Sequence, residues 1–168
     1  MRKSVVLPIK KLHIGDILLT STRHIISKVI EWWTISRWSH VGVYVGDGLV
    51  IEATFPRVRK VPASTFLKGC TEVCVLRHIQ WGTLEDVQRK SFLEFLESKV
   101  GKPYDIRGLL SFVCRRSIQN KSGYFCSELV SEAFSSVGIP IERKRPSWTT
   151  PEDIHSSLML DVVMVRRI

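Results

Sequence analysis

The chain is 168 residues long, 44% hydrophobic and 24% charged, with 25 Lys and Arg against 16 Asp and Glu for a formal net charge of +9. Those proportions describe one globular domain able to bury a core without a disulfide framework or structural metal, and they exclude a disordered tail, a collagen-like repeat and a disulfide scaffold. No apolar run approaches the roughly 18 residues of a membrane-spanning helix, and Met1-Arg2-Lys3-Ser4-Val5-Val6-Leu7-Pro8 is too weakly apolar for a signal peptide, so the sequence as written is expected to be cytoplasmic, with an envelope or phage-delivered setting left open.

Gly15-Asp16-Ile17-Leu18-Leu19-Thr20 reads as a turn feeding a strand, and residues 25–33 carry apolar side chains at helical spacing. Residues 41–45 and 49–53 are alternating runs around Gly46-Asp47-Gly48, which is hairpin chemistry, and 72–77 is a third strand. The stretch 55–65 is rich in Pro and basic residues, and the sequence does not decide whether it covers a cleft as a lid. Residues 84–100 form an amphipathic helix stopped by Gly101 and Pro103, and a second helix covers 107–118. Cys126, Leu129, Val130, Ala133, Phe134 and Val137 fall on one stripe of a further helix that ends at Gly138 and Pro140. Residues 162–165 close the chain as a strand. Strands gathered early and helices gathered late predict a single α+β domain, an antiparallel sheet packed against helices.

The positive balance points to anionic partners such as lipid head groups, cell-wall polymers or nucleic acid without choosing among them. The basic clusters, Arg57-Val58-Arg59-Lys60, Arg115-Arg116, Arg143-Lys144-Arg145 and Arg166-Arg167, are scattered and match no nucleic-acid-binding pattern, so no specific nucleic-acid partner is expected. Cys70, Cys74, Cys114 and Cys126 lack the paired spacing of a zinc site, and neither a metal nor a cofactor is called for.

A three-residue loop that pairs Val45 with Leu49 sets Gly42 opposite Glu52 and His40 opposite Thr54. Val41, Val43, Val45, Leu49, Ile51 and Ala53 then share an apolar core face. His40, Gly42, Tyr44, Val50, Glu52 and Thr54 share the other, with Glu52 the diagonal neighbour of His40 and Gly42 leaving room beside them. A carboxylate on one imidazole nitrogen fixes the tautomer and leaves the other nitrogen free to exchange a proton with a nucleophile. The alternative is a half-exposed cross-strand pair with no chemistry.

Cys126 stands at the start of its helix, after Ser122-Gly123-Tyr124-Phe125. Free amides and the positive dipole end of a helix favour thiolate over thiol, and the same amides can donate to the oxyanion of a tetrahedral intermediate. Cys126 also begins an apolar stripe, so a small core residue is the alternative. Cys70, Cys74 and Cys114 read as packing, and His13, His24, His78 and His155 as ordinary surface or core histidines.

Taken together, Gly15-Asp16-Ile17-Leu18, Ser39-His40-Val41-Gly42-Val43-Tyr44-Val45-Gly46-Asp47-Gly48, Ile51-Glu52-Ala53, Gly101-Lys102-Pro103-Tyr104-Asp105 and Phe125-Cys126-Ser127-Glu128-Leu129-Val130 resemble the circularly permuted, NlpC-type papain-like proteins of the YiiX/YaeF group, distant relatives of lecithin:retinol acyltransferase. In unpermuted relatives the cysteine helix precedes the histidine strands; here histidine comes first. The resemblance implies Cys126 as nucleophile, His40 as general base then acid, Glu52 as the group orienting the imidazole, and Tyr104 as a hydroxyl donor near the oxyanion or a packing residue. Thr149-Thr150-Pro151-Glu152-Asp153-Ile154 resembles the family's late Pro-containing segment and is read as structural. The acyltransferase relatives usually carry a second histidine where Glu52 stands, a departure that moves this chain away from them.

Three functions remain. The first is a cysteine amidase acting on a peptide amide, cell-wall-derived peptides included, through a thioester acyl-enzyme. The second keeps the chemistry on a lipid ester or thioester, as hydrolase or acyltransferase, with Ile30-Glu31-Trp32-Trp33 and Trp38 lining an acyl groove or a membrane interface. The third is a catalytically silent domain that binds an anionic surface.

Overall fold

The computed structural model describes residues 9–22, 37–104, 125–142 and 149–167. Among the described residues, runs rich in Val, Ile, Leu and Thr form six strands: β1 (Ile17–Thr22), β2 (His40–Gly46), β3 (Leu49–Thr54), β4 (Arg57–Pro62), β5 (Cys70–His78) and β6 (Leu160–Arg167). They form one sheet in the order β4-β3-β2-β1-β5-β6, and every neighbouring pair is antiparallel. Among the described residues four α-helices accompany it: α1 (Ala63–Phe66), α2 (Asp86–Lys99), α3 (Cys126–Ser136) and α4 (Pro151–His155). This is the antiparallel sheet with helices that the distribution of apolar runs predicts.

Side-chain period decides what each sheet face buries. On one face, Ile17, Leu19, Val41, Val43, Ile51, Ala53, Val58, Cys74 and Leu76 meet Phe92 and Leu96 of α2 and the apolar stripe of α3, Leu129, Val130, Ala133 and Phe134. The ring of Phe134 lies edge-on to Phe92, with centroids 4.9 Å apart. The opposite face is covered as well, by a second cluster in which Leu18, Tyr44, Val50, Val73 and Val75 pack with Leu12, Ala63 and Phe66. Alternation alone does not show that cover, because Ala63 and Phe66 belong to a four-residue helix too short to carry a period.

The hairpin between β2 and β3 departs from the expected loop. Gly42↔Glu52, Val43↔Ile51 and Tyr44↔Val50 pair as the three-residue loop requires, but the ladder then slips so that Gly46 pairs with Leu49. The turn is the two-residue Asp47-Gly48, both with positive φ (53° and 74°), and Val45 is the extra residue of a bulge. The bulge lies beyond Tyr44, so the pairing around Glu52 is untouched.

Residues 57–62 form the edge strand β4. Val58 is buried against the core while Arg57, Arg59 and Lys60 are exposed, the charge pattern that protects a sheet edge from stray pairing. β5 is longer than expected, and Cys70 and Cys74 both lie inside it. α2 falls within the predicted 84–100 and opens with a reciprocal Glu85–Gln88 capping box. The helices expected over 25–33 and 107–118, with Arg115-Arg116, Arg143-Lys144-Arg145, Cys114 and His24, lie outside the described residues.

Candidate active site

His40 opens β2 and Glu52 sits in β3, two positions apart on the paired ladder. Their side chains close the diagonal: His40 Nε2 and Glu52 Oε2 form a charge-assisted hydrogen bond. Glu52 is 3% exposed, and burying a carboxylate is costly unless its oxygens are paired. Its second oxygen, Oε1, accepts from Arg59 Nε at 2.8 Å, and Arg59 is the residue directly opposite Glu52 in β4. Burial works against the charged form of Glu52, yet the bonds from His40 and then Arg59 outweigh it and hold the carboxyl below its usual range.

Gly42, the ladder partner of Glu52, is needed for close approach. A Cβ there would come within 2.7 Å of Val50 Cγ1 and 2.8 Å of Phe66 Cε2. Without it, Phe66 of α1 reaches the sheet, and its ring lies 5.4 Å from the His40 ring. The expected space beside the histidine is therefore filled by an aromatic side chain.

Cys126 is the first residue of α3, 8% exposed, and counted in the main core cluster. Phe125 before it is extended (φ −101°, ψ 163°) and offers no side-chain cap, so the first intrahelical bond runs from Leu129 N–H to Phe125 O (3.1 Å) and the amides of the first turn are not taken up by a capping side chain. Ser127 Oγ donates to the carbonyl of Thr149 at 2.5 Å, tying that turn to the segment that caps α4. Thr150 in turn caps α4 through a reciprocal bond with Asp153.

The thiol of Cys126 lies within hydrogen-bonding reach of His40. Burial alone would lower the His40 pKa, but the hydrogen bonds to Cys126 and then to Glu52 reverse the sign and push it up to about 10. Among the described residues His40, Glu52 and Arg59 form a hydrogen-bonded chain across three adjacent strands, and Cys126 at the start of α3 acts on its His40 end. Such a chain can hold an imidazolium beside sulfur and pass a proton through one nitrogen while the other stays fixed.

Tyr104 is partly buried against the main core cluster, with its N–H donating to Pro56 O at 2.9 Å. Trp38 is buried in the same cluster, 5.3 Å from the His155 ring, so it lines no open interface; residues 30–33 lie outside the described residues. Cys70 donates to Phe66 O at 3.8 Å, and burial raises its pKa, as it does that of Cys74, which is pushed up to about 11. His78 is buried, with Nδ1 accepting from Gln80 N–H at 3.1 Å, and burial lowers its pKa. Among the described residues no group of three or more His, Cys, Asp or Glu is placed to hold a metal ion, and no helix is long and apolar enough to cross a membrane.

Arg59 is the participant that sequence reasoning missed. The signal was present: Pro56 marks a turn after Thr54, and the alternation of Val58 with Arg57 and Arg59 would have placed a strand back against β3.

A sheet with its histidine strands ahead of the cysteine helix, and a thiol against a carboxylate-bound imidazole, defines a permuted papain-like arrangement. The family model for permuted papain-like amidase enzymes, the YaeF/YiiX or C92 peptidase family, matches residues 11–150, and the chain belongs to that family. It is similar to the probable lipoprotein peptidase YaeF of Escherichia coli K12, 25% identical over 179 aligned positions that cover 88% of this chain; the chain spans 64% of the length of that relative. The fold is shared with the crystal structure of the metalloprotein YiiX from Escherichia coli O157:H7, at a TM-score of 0.72 and 20% identity over 93% of this chain and 98% of that one.

Proposed function

We propose that this protein is a cysteine amidase that cleaves a peptide amide through a thioester acyl-enzyme, with Cys126 as nucleophile, His40 as general base and acid, and Glu52 as the group that orients and charges the imidazole. The observation that supports it most directly is the reach of the Cys126 thiol to an imidazole whose far nitrogen is already bonded to a buried carboxylate. Membership of an amidase family and similarity to a protein named as a peptidase favour an amide in a peptide as the substrate.

In the reaction, His40 accepts the Cys126 proton and the thiolate sulfur attacks the amide carbonyl carbon. Negative charge moves to the carbonyl oxygen, where first-turn amides of α3 donate to it. Collapse of this intermediate breaks the C–N bond, and His40 returns its proton to the departing amine. A water molecule then gives a proton to His40 as its oxygen attacks the thioester; the C–S bond breaks, and acid product and enzyme are released. Glu52, anionic throughout, stabilises the imidazolium that forms twice in the cycle. Arg59 acts on Glu52 rather than on substrate.

Covalent labelling with a thiol-directed acylating probe tests the assignment. Labelling of the wild-type protein at Cys126, and its loss in Cys126→Ala with the fold retained by circular dichroism, is the expected result. Unchanged labelling of Cys126→Ala would sink it.

A further inference from the structure

Strand edges expose unpaired N–H and C=O groups that invite another strand, and proteins ordinarily guard them with charge or proline. β4, at one end of the sheet, is guarded by Arg57, Arg59, Lys60 and Pro62. β6, at the other end, carries its charges only towards its two ends, and between them Val162, Val163 and Val165 are 55%, 41% and 50% exposed. Its sequence, Leu160-Asp161-Val162-Val163-Met164-Val165-Arg166-Arg167, is acidic near its start, apolar in its middle and basic at its end. A strand with that order of charges is complementary to a second copy of itself running the other way.

The ladder with β5 shows which way each side chain points. Val162 and Val165 lie opposite Leu76 and Cys74, on the face of the main core cluster, whereas Asp161, Met164 and Arg166 lie opposite Arg77, Val75 and Val73, on the other face. The register slips between Val75 and Leu76, leaving Val163 as the extra residue of a bulge. That extra residue is why Asp161 and Arg166, an odd number of positions apart, share a face.

An antiparallel pair of β6 strands about a twofold axis between Val163 and Met164 therefore sets Asp161 opposite Arg166 and Val162 opposite Val165, each pair on one face, twice over. Sliding either strand by one residue mismatches the faces at these pairs. Among the described residues, Arg77, which faces Asp161 within the sheet, is bonded to Asp16, and it is Arg167 rather than Arg166 that approaches Glu72.

We propose that β6 is a self-association edge, and that two copies of this chain join β6 to β6 in that register to make one continuous twelve-stranded sheet of two six-stranded halves. One strand per copy is a small interface, so the dimer is reversible and forms in the micromolar range. Each charge reversal affects both symmetric pairs, replacing two attractions by two repulsions, which weakens association roughly tenfold to a hundredfold.

Light scattering on the full chain across a concentration series, with sedimentation velocity as a second measure, tests it. The wild type is expected to pass from monomer to dimer as concentration rises. Asp161→Arg and Arg166→Asp should each dissociate the dimer, Val162→Lys should do the same, and the double variant D161R/R166D should dimerise again because it restores both pairs in reverse. Circular dichroism and the Tm of each variant establish that the exposed substitutions leave the fold intact. A wild type that stays monomeric throughout would overturn the proposal. So would a dimer indifferent to the single reversals, or single reversals that the double variant fails to rescue.

Discussion

Arg59 and Glu52 face one another across β4 and β3, and the guanidinium holds one carboxylate oxygen at 2.8 Å while the other oxygen holds His40. The acid that charges the imidazole is thus itself charged by an arginine on the sheet's guarded edge. Removing the arginine leaves a buried carboxylate half paired, which raises its pKa. Arg59→Gln should lower kcat/KM by about ten- to a hundredfold and move the acid limb of the pH profile to higher pH, with Arg59→Lys restoring part of both. Glu52→Gln should cost more, on the order of a hundredfold or beyond, because it removes the orienting charge outright. A pH–rate profile of Arg59→Gln superimposable on the wild type would refute the role given to Arg59.

Gly42 is expected to tolerate no side chain. In Gly42→Ala the new methyl group meets Val50 and Phe66 at distances that real Cβ atoms do not show, so Phe66 must shift away from the sheet and from the His40 ring. A loss of about 1–3 kcal/mol in unfolding free energy follows from such overpacking, measurable by denaturant titration. The companion change Phe66→Leu should relieve part of that loss when combined with Gly42→Ala; strict additivity of the two would argue against the contact.

Stability should depend on pH through the same side chains, with opposite signs. The folded-state pKa of His40, about 10, stands above its ordinary value of 6.5, so its contribution is fully present below 6.5 and is lost as pH rises toward and through about 10. Glu52 has a lowered pKa, so its contribution is present above about 4.5 and is lost as pH falls through the folded-state value. Urea unfolding of the wild type from acid to alkaline pH should show both losses. His40→Gln should flatten the alkaline one, and Cys126→Ser should shrink it, since hydrogen bonding and charge at the sulfur help to hold the proton on His40.

Away from the site, Asp16 is 0% exposed and bonded by Arg77 Nε at 2.7 Å, Arg77 Nη2 at 2.9 Å and the His13 N–H at 2.8 Å. Arg77→Met leaves that carboxylate buried without its cation and should destabilise the protein by about 3–5 kcal/mol. Arg77→Met combined with Asp16→Asn should recover a substantial part of the loss, as a double-mutant cycle by chemical denaturation would show.

The sequence by itself determined the side on which each residue of the central hairpin lies and the stripe that Cys126 begins, because periods of 2 and 3.6 residues are properties of the local backbone. The pairing of Gly42 with Glu52 followed from the position of the turn, and it survived a bulge that falls beyond Tyr44. Tertiary structure alone decided which distant segments meet. Whether the thiol at the start of α3 approaches His40, whether Arg59 returns to complete the pairing of Glu52, and whether Phe66 closes over Gly42 all depend on chain segments with no shared period, joined only by what is buried when sheet and helices pack. Local pattern sets the direction of a side chain; its partner is chosen by the long-range packing that excludes water around it.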